Sequence, residues 1–374
     1  MNGSVPAGRI FGIPLRIHWS APLLVVFLGF GLADQTLQAW VPGQPAAVYG
    51  LAGAAGALLL MVSLLLHETA HAITARRLGT RVDDMTVFAL GGVTRMGRPA
   101  TPKRQLAVTL AGPLTSLALA ALAIAAGLGT HHALHWTLTA AVLLWTGWAN
   151  LVLGVFNLLP AAPLDGGRVL QAIVWWRGRD RESAERIAGR SGQVTGVLLS
   201  ALGAAELLNG AAAGFWLVLI GLFMWSAATA EVGRAALVGA LRGLRVSHLM
   251  SAPVVTGPDW TTVERFLADV TARTHHTAIP LVDFEGRPSR LVDLRRLTLI
   301  PPPDRAQLRV RDVATPLTRC ALAAPCDDLV EVLDRIAAPP PILVLDAGRL
   351  VGIITADDIE RTARRRLAAA SRSN

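Results

Sequence analysis

The sequence predicts a polytopic α-helical membrane domain followed by an α/β domain built from two repeated units. Three observations carry that prediction. Apolar residues make up 52% of the 374 positions and charged residues only 16%, a balance too greasy for an ordinary soluble chain. The apolar residues gather in runs long enough to cross a bilayer. Lys and Arg then alternate, loop by loop, between the ends of those runs. The long uncharged runs fall within residues 17–236, whereas 244–366 has short strands, turns and spaced charges. The boundary is placed near Val238–Arg245, giving a membrane domain over 1–237 and two units over 244–301 and 308–366.

A hydrocarbon core of about 30 Å needs about 20 apolar residues in a helix. Six segments qualify, at 17–36, 48–75, 104–128, 136–158, 193–209 and 213–234. Arg9 and Arg16 precede the first run, but no small-residue cleavage site follows it, so it reads as a retained anchor rather than a signal peptide. The segment Arg76–Arg104 carries seven Lys or Arg and Pro160–Thr195 carries six, while the loops 37–47, 129–135 and 210–212 carry none. By the positive-inside rule, both termini and the two Arg-rich loops face the cytoplasm of a multi-pass cell-membrane protein. The net charge of +9 therefore reads as topology rather than as a nucleic-acid surface. Arg supplies almost all of it, Lys103 being the only lysine, a bias that suggests a GC-rich bacterial genome.

Within the first Arg-rich loop, Met85–Met96 alternates loosely around Gly91 and Gly92, which predicts a strand–turn–strand hairpin apolar enough to dip toward the membrane surface. The C-terminal half repeats itself with a period of about sixty residues. Val246–Met250 followed by Pro253 parallels Val310–Ala314 followed by Pro316. A helical stretch follows each, near Val263–Thr271 and Leu329–Ile336, and then a short buried strand, Ile279–Asp283 and Ile342–Asp346. Cys320 and Cys326 lie in this half without metal-ligand spacing.

The chemistry is concentrated in His67-Glu68-Thr69-Ala70-His71. Two histidines four residues apart share one helix face, a spacing that suits two ligands of a tetrahedral zinc ion. Glu68 is the candidate general base toward a zinc-bound water. Such a motif often sits on an exposed helix of a soluble protein without binding metal. Here the run Leu58–Leu66 leads directly into it, and ionisable residues inside a span are costly unless they are used. His67 lies nine positions, or roughly 13 Å of helix, before Arg76, which sinks the motif below the cytoplasmic surface.

A catalytic zinc needs a third protein ligand and an open position. Asp165, in Asn157-Leu158-Leu159-Pro160-Ala161-Ala162-Pro163-Leu164-Asp165-Gly166-Gly167-Arg168, is the best candidate. Irregular backbone at membrane depth is tolerated only where it lines a cavity. Asp165 could equally be a helix N-cap. The competing carboxylates Asp83, Asp84 and Asp180 lie in charged loops and read as solvated. Asn157 is placed to bond a substrate backbone or a developing oxyanion, or else to satisfy carbonyls freed at a helix end.

Together these residues resemble the site-2 protease family of intramembrane zinc metalloproteases. His67–His71 resembles its zinc helix, and Asn157, Pro160, Asp165 and Gly166 match each fixed position of its Asn–x–x–Pro–x–x–x–x–Asp–Gly motif. Ala111-Gly112-Pro113 and Gly12–Trp19 also look like the family. The resemblance implies one zinc per chain, held by His67, His71 and Asp165, and Glu68 as catalytic base. It implies cleavage of membrane-bound substrates with a single transmembrane segment, in regulated intramembrane proteolysis. It also implies that the Gly91–Gly92 hairpin guides an unwound substrate as an added strand.

The C-terminal duplication resembles a tandem pair of cystathionine-β-synthase (CBS) domains, best over Gly348–Ile359. That likeness implies an adenosine nucleotide on Thr355 and Asp358, and a homodimer formed through the CBS pair. The first unit departs from the pattern, with Asp293 and Arg296 at the corresponding positions. At most one good nucleotide site is therefore expected, and a pair serving only for dimerisation or substrate docking is the alternative. A transporter or channel regulated by CBS domains is the competing function, but a pore has no need of two histidines at helical spacing beside a glutamate.

Overall fold

The protein is described here by a computed structural model covering residues 3–88, 91–270, 277–336 and 341–370. Ala89 and Leu90, within the expected hairpin, and Thr271, at the end of one expected helix, lie outside the described residues.

The first unit, Met1–Ala235, opens with two strands, β1 (Ser4–Ile10) and β2 (Ile13–His18). Six helices long and apolar enough to span a bilayer follow. They are α1 (Ala21–Trp40), α2 (Ala46–Arg77), α3 (Pro102–Leu134), α4 (Thr137–Asn157), α6 (Arg181–Leu208) and α7 (Gly214–Leu241), with the short helix α5 (Asp165–Trp176) between the fourth and fifth. Between 17% and 39% of each apolar window is buried. The rest presents large apolar side chains outward, among them Phe30, Leu51 and Leu122, each about two-thirds or more exposed. That surface suits lipid and would be untenable in water.

The ends of these helices follow from local chemistry. Arg76 and Arg77 in the last turn of α2 complement its dipole. The Thr101 hydroxyl accepts from Arg104 N at the start of α3, and the Asp180 carboxylate accepts from Ser183 N at the start of α6. Pro160 and Pro163 keep α4 from running on past Asn157. The first span begins at Ala21 rather than at residue 17, because Ile17 and His18 belong to β2.

The predicted hairpin is present as β3 (Val82–Phe88) and β4 (Gly91–Met96), and it joins a four-stranded sheet in the order β1-β2-β3-β4. β2 and β3 pair in parallel, Arg16 opposite Thr86, and β3 and β4 antiparallel, Met85 opposite Thr94 and Val87 opposite Gly92. One face buries Ile13, Leu15, Met85 and Val87 against Ala72 of α2 and Ala21 of α1. The opposite face holds Asp84 and Arg95 as a cross-strand pair, Arg95 donating Nε to Asp84 Oδ1 at 2.9 Å and Nη2 to Oδ2. Asp84, expected to be solvated, is 7% exposed. The Arg95 guanidinium holds its carboxyl below the usual carboxylate range.

The second unit, Ala236–Asn374, contains the two repeats. One has a four-stranded sheet of β5 (Gly257–Pro258), β6 (Ala278–Val282), β7 (Pro288–Asp293) and β8 (Thr315–Pro316), with the helix α8 (Val263–Val270). The other has β9 (Ala321–Ala323), β10 (Ile342–Asp346) and β11 (Arg349–Ile354), with α9 (Leu329–Arg335) and α10 (Ala356–Ala370). The repeats exchange their leading segments. Leu244, Val246 and Leu249 lie in the core with Leu329, Ile342 and Ile354. Val310 and Ala314 lie in the core with Val263, Phe266 and Ile279.

Candidate metal centre

His67 and His71 project from one face of α2, as their spacing requires, and both are buried. Asp165, the first residue of α5, meets them there. The turn that delivers it is tight: a Cβ at Gly166 would strike the backbone of Leu158 and Leu159. The N-cap of α5 is Leu164, so Asp165 occupies the first turn, where a carboxylate is stabilised by the helix dipole.

Three electron-rich atoms converge. Asp165 Oδ2 lies 3.2 Å from His67 Nε2 and 3.1 Å from His71 Nε2, and the two Nε2 atoms are 3.2 Å apart. A tetrahedral ion with bonds of about 2.0–2.1 Å has edges of about 3.3–3.4 Å. The triangle matches one face of that tetrahedron. Among the described residues this is the group of His, Cys, Asp or Glu side chains that could hold a metal ion. A buried meeting of two ring nitrogens and a carboxylate oxygen calls for a cation at its centre.

The far ring nitrogens of both histidines are held, and that of His71 fixes its tautomer. His71 Nδ1 lies 2.7 Å from the Val108 carbonyl oxygen, which only accepts, so Nδ1 carries the proton and Nε2 offers its lone pair. His67 Nδ1 is 2.9 Å from Ser116 Oγ, whose residue is fully buried. Both partners come from α3, and outer partners of this kind aim metal ligands. Gly112, on the same helix, keeps the space beside the rings open: a Cβ there would lie 2.5 Å from His67 Nε2 and 2.6 Å from His71 Cε1. The chemistry of the donors and this cradle both fit a metal of zinc's size.

Glu68 points to the sheet. Thr94 of β4 donates its hydroxyl to Glu68 Oε2 at 2.7 Å. A Cβ at Gly92 would lie 2.9 Å from Glu68 Cδ and 3.1 Å from Oε1. Gly91 opens the same strand with φ of +134°. Asn157 ends α4 half-buried, and its side chain bonds none of the described residues. The sequence reading missed Thr94, Ser116 and Asn150. Asn150 is fully buried in α4 and donates to Ser63 Oγ at 3.1 Å, one turn before His67 on α2. Polar residues inside apolar spans were the available signal for Ser116 and Asn150.

Thr355 and Asp358 form a capping box at the start of α10. Asp358 Oδ2 accepts from Thr355 N at 2.9 Å and from its hydroxyl at 2.6 Å, and Thr355 Oγ1 accepts from Asp358 N. Their counterpart in the first repeat, Asp293, accepts from Arg295 N instead.

The chain is 40% identical over 371 residues to Rip3 of Mycobacterium tuberculosis, named as a zinc metalloprotease, and the match covers 96% of this chain and 93% of that protein. The family model for peptidase family M50 matches residues 55–132 and 127–199. The chain belongs to peptidase family M50. As a member of that family of site-2 proteases it is a multi-pass intramembrane metalloprotease. The two matched segments contain His67, Glu68, His71, Asn157 and Asp165. Among solved structures, the site-2 protease from Methanocaldococcus jannaschii is 26% identical, covering 61% of this chain and 95% of that one at a TM-score of 0.43. The CBS domain of a membrane protein from Sphaerobacter thermophilus is 21% identical, covering 36% and 96% at a TM-score of 0.29.

Proposed function

We propose that this M50 metalloprotease cuts peptide bonds within the transmembrane segment of single-span membrane proteins, in regulated intramembrane proteolysis. His67, His71 and Asp165 hold one zinc ion, and Glu68 is the general base. The observation that carries this reading is the convergence of His67 Nε2, His71 Nε2 and Asp165 Oδ2 at mutual distances of 3.1–3.2 Å within an apolar helical domain. When bound, the zinc ion supplies Lewis acidity and lowers the pKa of water to about 7. Glu68, next to His67 in sequence, takes the proton from the attacking water and returns it to the leaving amine. The Asn157 amide donates to the substrate carbonyl as negative charge develops there.

Cleavage requires an extended substrate, because a helical peptide bond is shielded by its own hydrogen bonds. β4 supports that step. It is an edge strand of the sheet and begins at Gly91 and Gly92. An unwound segment added to its outer edge satisfies its backbone groups there and passes alongside Glu68. Basic loops at Arg76–Arg104 and Pro160–Thr195 support cytoplasmic termini in a bacterial cell membrane and entry of water from that side. The C-terminal CBS-like pair senses an adenosine nucleotide at Thr355 and Asp358, docks substrate, or joins two chains into a homodimer.

Purified E68Q protein is expected to hold one zinc per chain and to leave a single-span substrate in liposomes uncut. Undiminished cleavage by E68Q, or purified wild-type protein without zinc, overturns the reading. Calorimetric titration of the full-length chain with ATP or AMP tests the nucleotide role, which requires binding that D358A abolishes.

A further inference from the structure

Edge strand β4 turns the alternate residues Gly92, Thr94 and Met96 toward α2, and Thr94 carries the one hydrogen-bonding side chain among them. Its hydroxyl donates to Glu68 Oε2 at 2.7 Å, a short contact suited to a charged acceptor. Gly92 leaves room for the same side chain, since a Cβ there would lie 2.9 Å from Glu68 Cδ and 3.1 Å from Oε1. A glutamate turns about three torsions and is poorly aimed unless something confines it. Here the strand does so through the Thr94 hydroxyl. Thr94 is itself stiff, because a β-branched side chain has restricted χ1.

The other face of β4 secures this arrangement. Arg95 clasps the buried Asp84 carboxylate with two donors, and that pair stands next to the Met85–Thr94 pair in the ladder. A slip of β4 by one residue would turn Thr94 away from α2. The ion pair opposes it.

We propose that Thr94 is a positioning residue for Glu68: its hydroxyl sets the direction of the carboxylate, so the strand that receives the substrate also aims the base. The proposal rests on the reading of Glu68 as general base. It gives substrate pairing a direct effect on chemistry. Backbone pairing along β4 holds the strand against α2, and Thr94 passes that placement to the carboxylate through one hydrogen bond.

The test uses the full-length, zinc-loaded protein in detergent with a transmembrane peptide substrate. T94V keeps the shape and removes the hydroxyl; T94S keeps the hydroxyl. T94V is expected to lower kcat by about 10- to 100-fold, the scale of one hydrogen bond to a charged group, with KM within about twofold and zinc still at one per chain. T94S is expected to recover most of the loss. A second readout needs neither metal nor turnover: thermal unfolding of zinc-free T94V, E68A and the double variant. T94V is expected to shift the midpoint in the wild-type background and much less in the E68A background.

Wild-type kcat in T94V, a change confined to KM, no recovery by folded T94S, or additive midpoints would each overturn the role of Thr94. The underlying assignment fails separately. Cleavage surviving in E68Q removes Glu68 as base, whereas inactive E68Q beside fully active T94V removes only the positioning role.

Discussion

Replacing Gly112 by Ala probes the metal centre with one methyl group. The added carbon would lie 2.5 Å from His67 Nε2 and 2.6 Å from His71 Cε1, where ordinary contacts are 3.4–4 Å. Both rings must therefore retreat by close to an ångström, or α3 must move outward. Metal–ligand distances tolerate only about 0.2 Å, so the displacement breaks the site although no ligand is removed. Disturbing a partner that merely orients a ligand costs about 10- to 100-fold in metal affinity, and moving two ligands directly should cost at least the upper figure. Overpacking adds a stability loss of about 1–3 kcal/mol. The assay is zinc content per chain after purification, followed by competition against a graded chelator series. Thermal unfolding of zinc-free protein serves as the folding control. G112A is expected to be folded and depleted of zinc. Wild-type occupancy and chelator resistance in G112A would refute the geometry.

Other perturbations follow from the same contacts. S116A removes the partner of His67 Nδ1 and is expected to weaken zinc about tenfold or more by the same competition assay, with His71 still anchored by Val108. S63A removes one of the two acceptors of the buried Asn150 amide, leaving the Thr146 carbonyl at 2.9 Å, and should destabilise the protein by about 1 kcal/mol in thermal unfolding, without altering zinc stoichiometry. The Asp84–Arg95 pair gives a pH signature. Asp84 titrates below its ordinary value of 3.8 because Arg95 bonds the charged form. Its contribution to stability is therefore complete above that value and is lost as pH falls through the depressed one. Unfolding midpoints of wild type and D84N should differ at neutral pH and draw together in strong acid; a constant difference would show that the pair titrates elsewhere.

The candidate residues of this site that sit in short local patterns were legible in the sequence. His67, Glu68 and His71 follow from helical spacing inside an apolar run. Asp165 follows from a short Pro- and Gly-bounded segment that ends a span. What escaped the sequence reading depends on pairing across long separations. β2 runs apolar into the first span, so Ile17 and His18 read as part of it, yet Ile17 pairs in parallel with Val87, seventy residues on, and His18 pairs with Ser4 of β1. Asp84 sits beside Asp83 in a polar stretch and looks solvated until Arg95 is placed opposite it on the sheet. Thr94 is one ordinary residue of a hairpin; only the register that faces it toward α2 gives it Glu68 as a partner. The start of α5 was legible to within one residue: the sequence offers Asp165 as a helix N-cap, whereas the cap is Leu164 and Asp165 is the first helical residue.

The depth of cleavage tests the central claim most directly. A single-span substrate is reconstituted with the wild-type enzyme in liposomes, and the scissile bond is located by mass spectrometry of both fragments, with E68Q as the blank. Hydrolysis inside the bilayer predicts new termini within the apolar segment, toward its cytoplasmic end, and no such termini with E68Q. Termini confined to the water-exposed flanks, or the same fragments from E68Q, would contradict it.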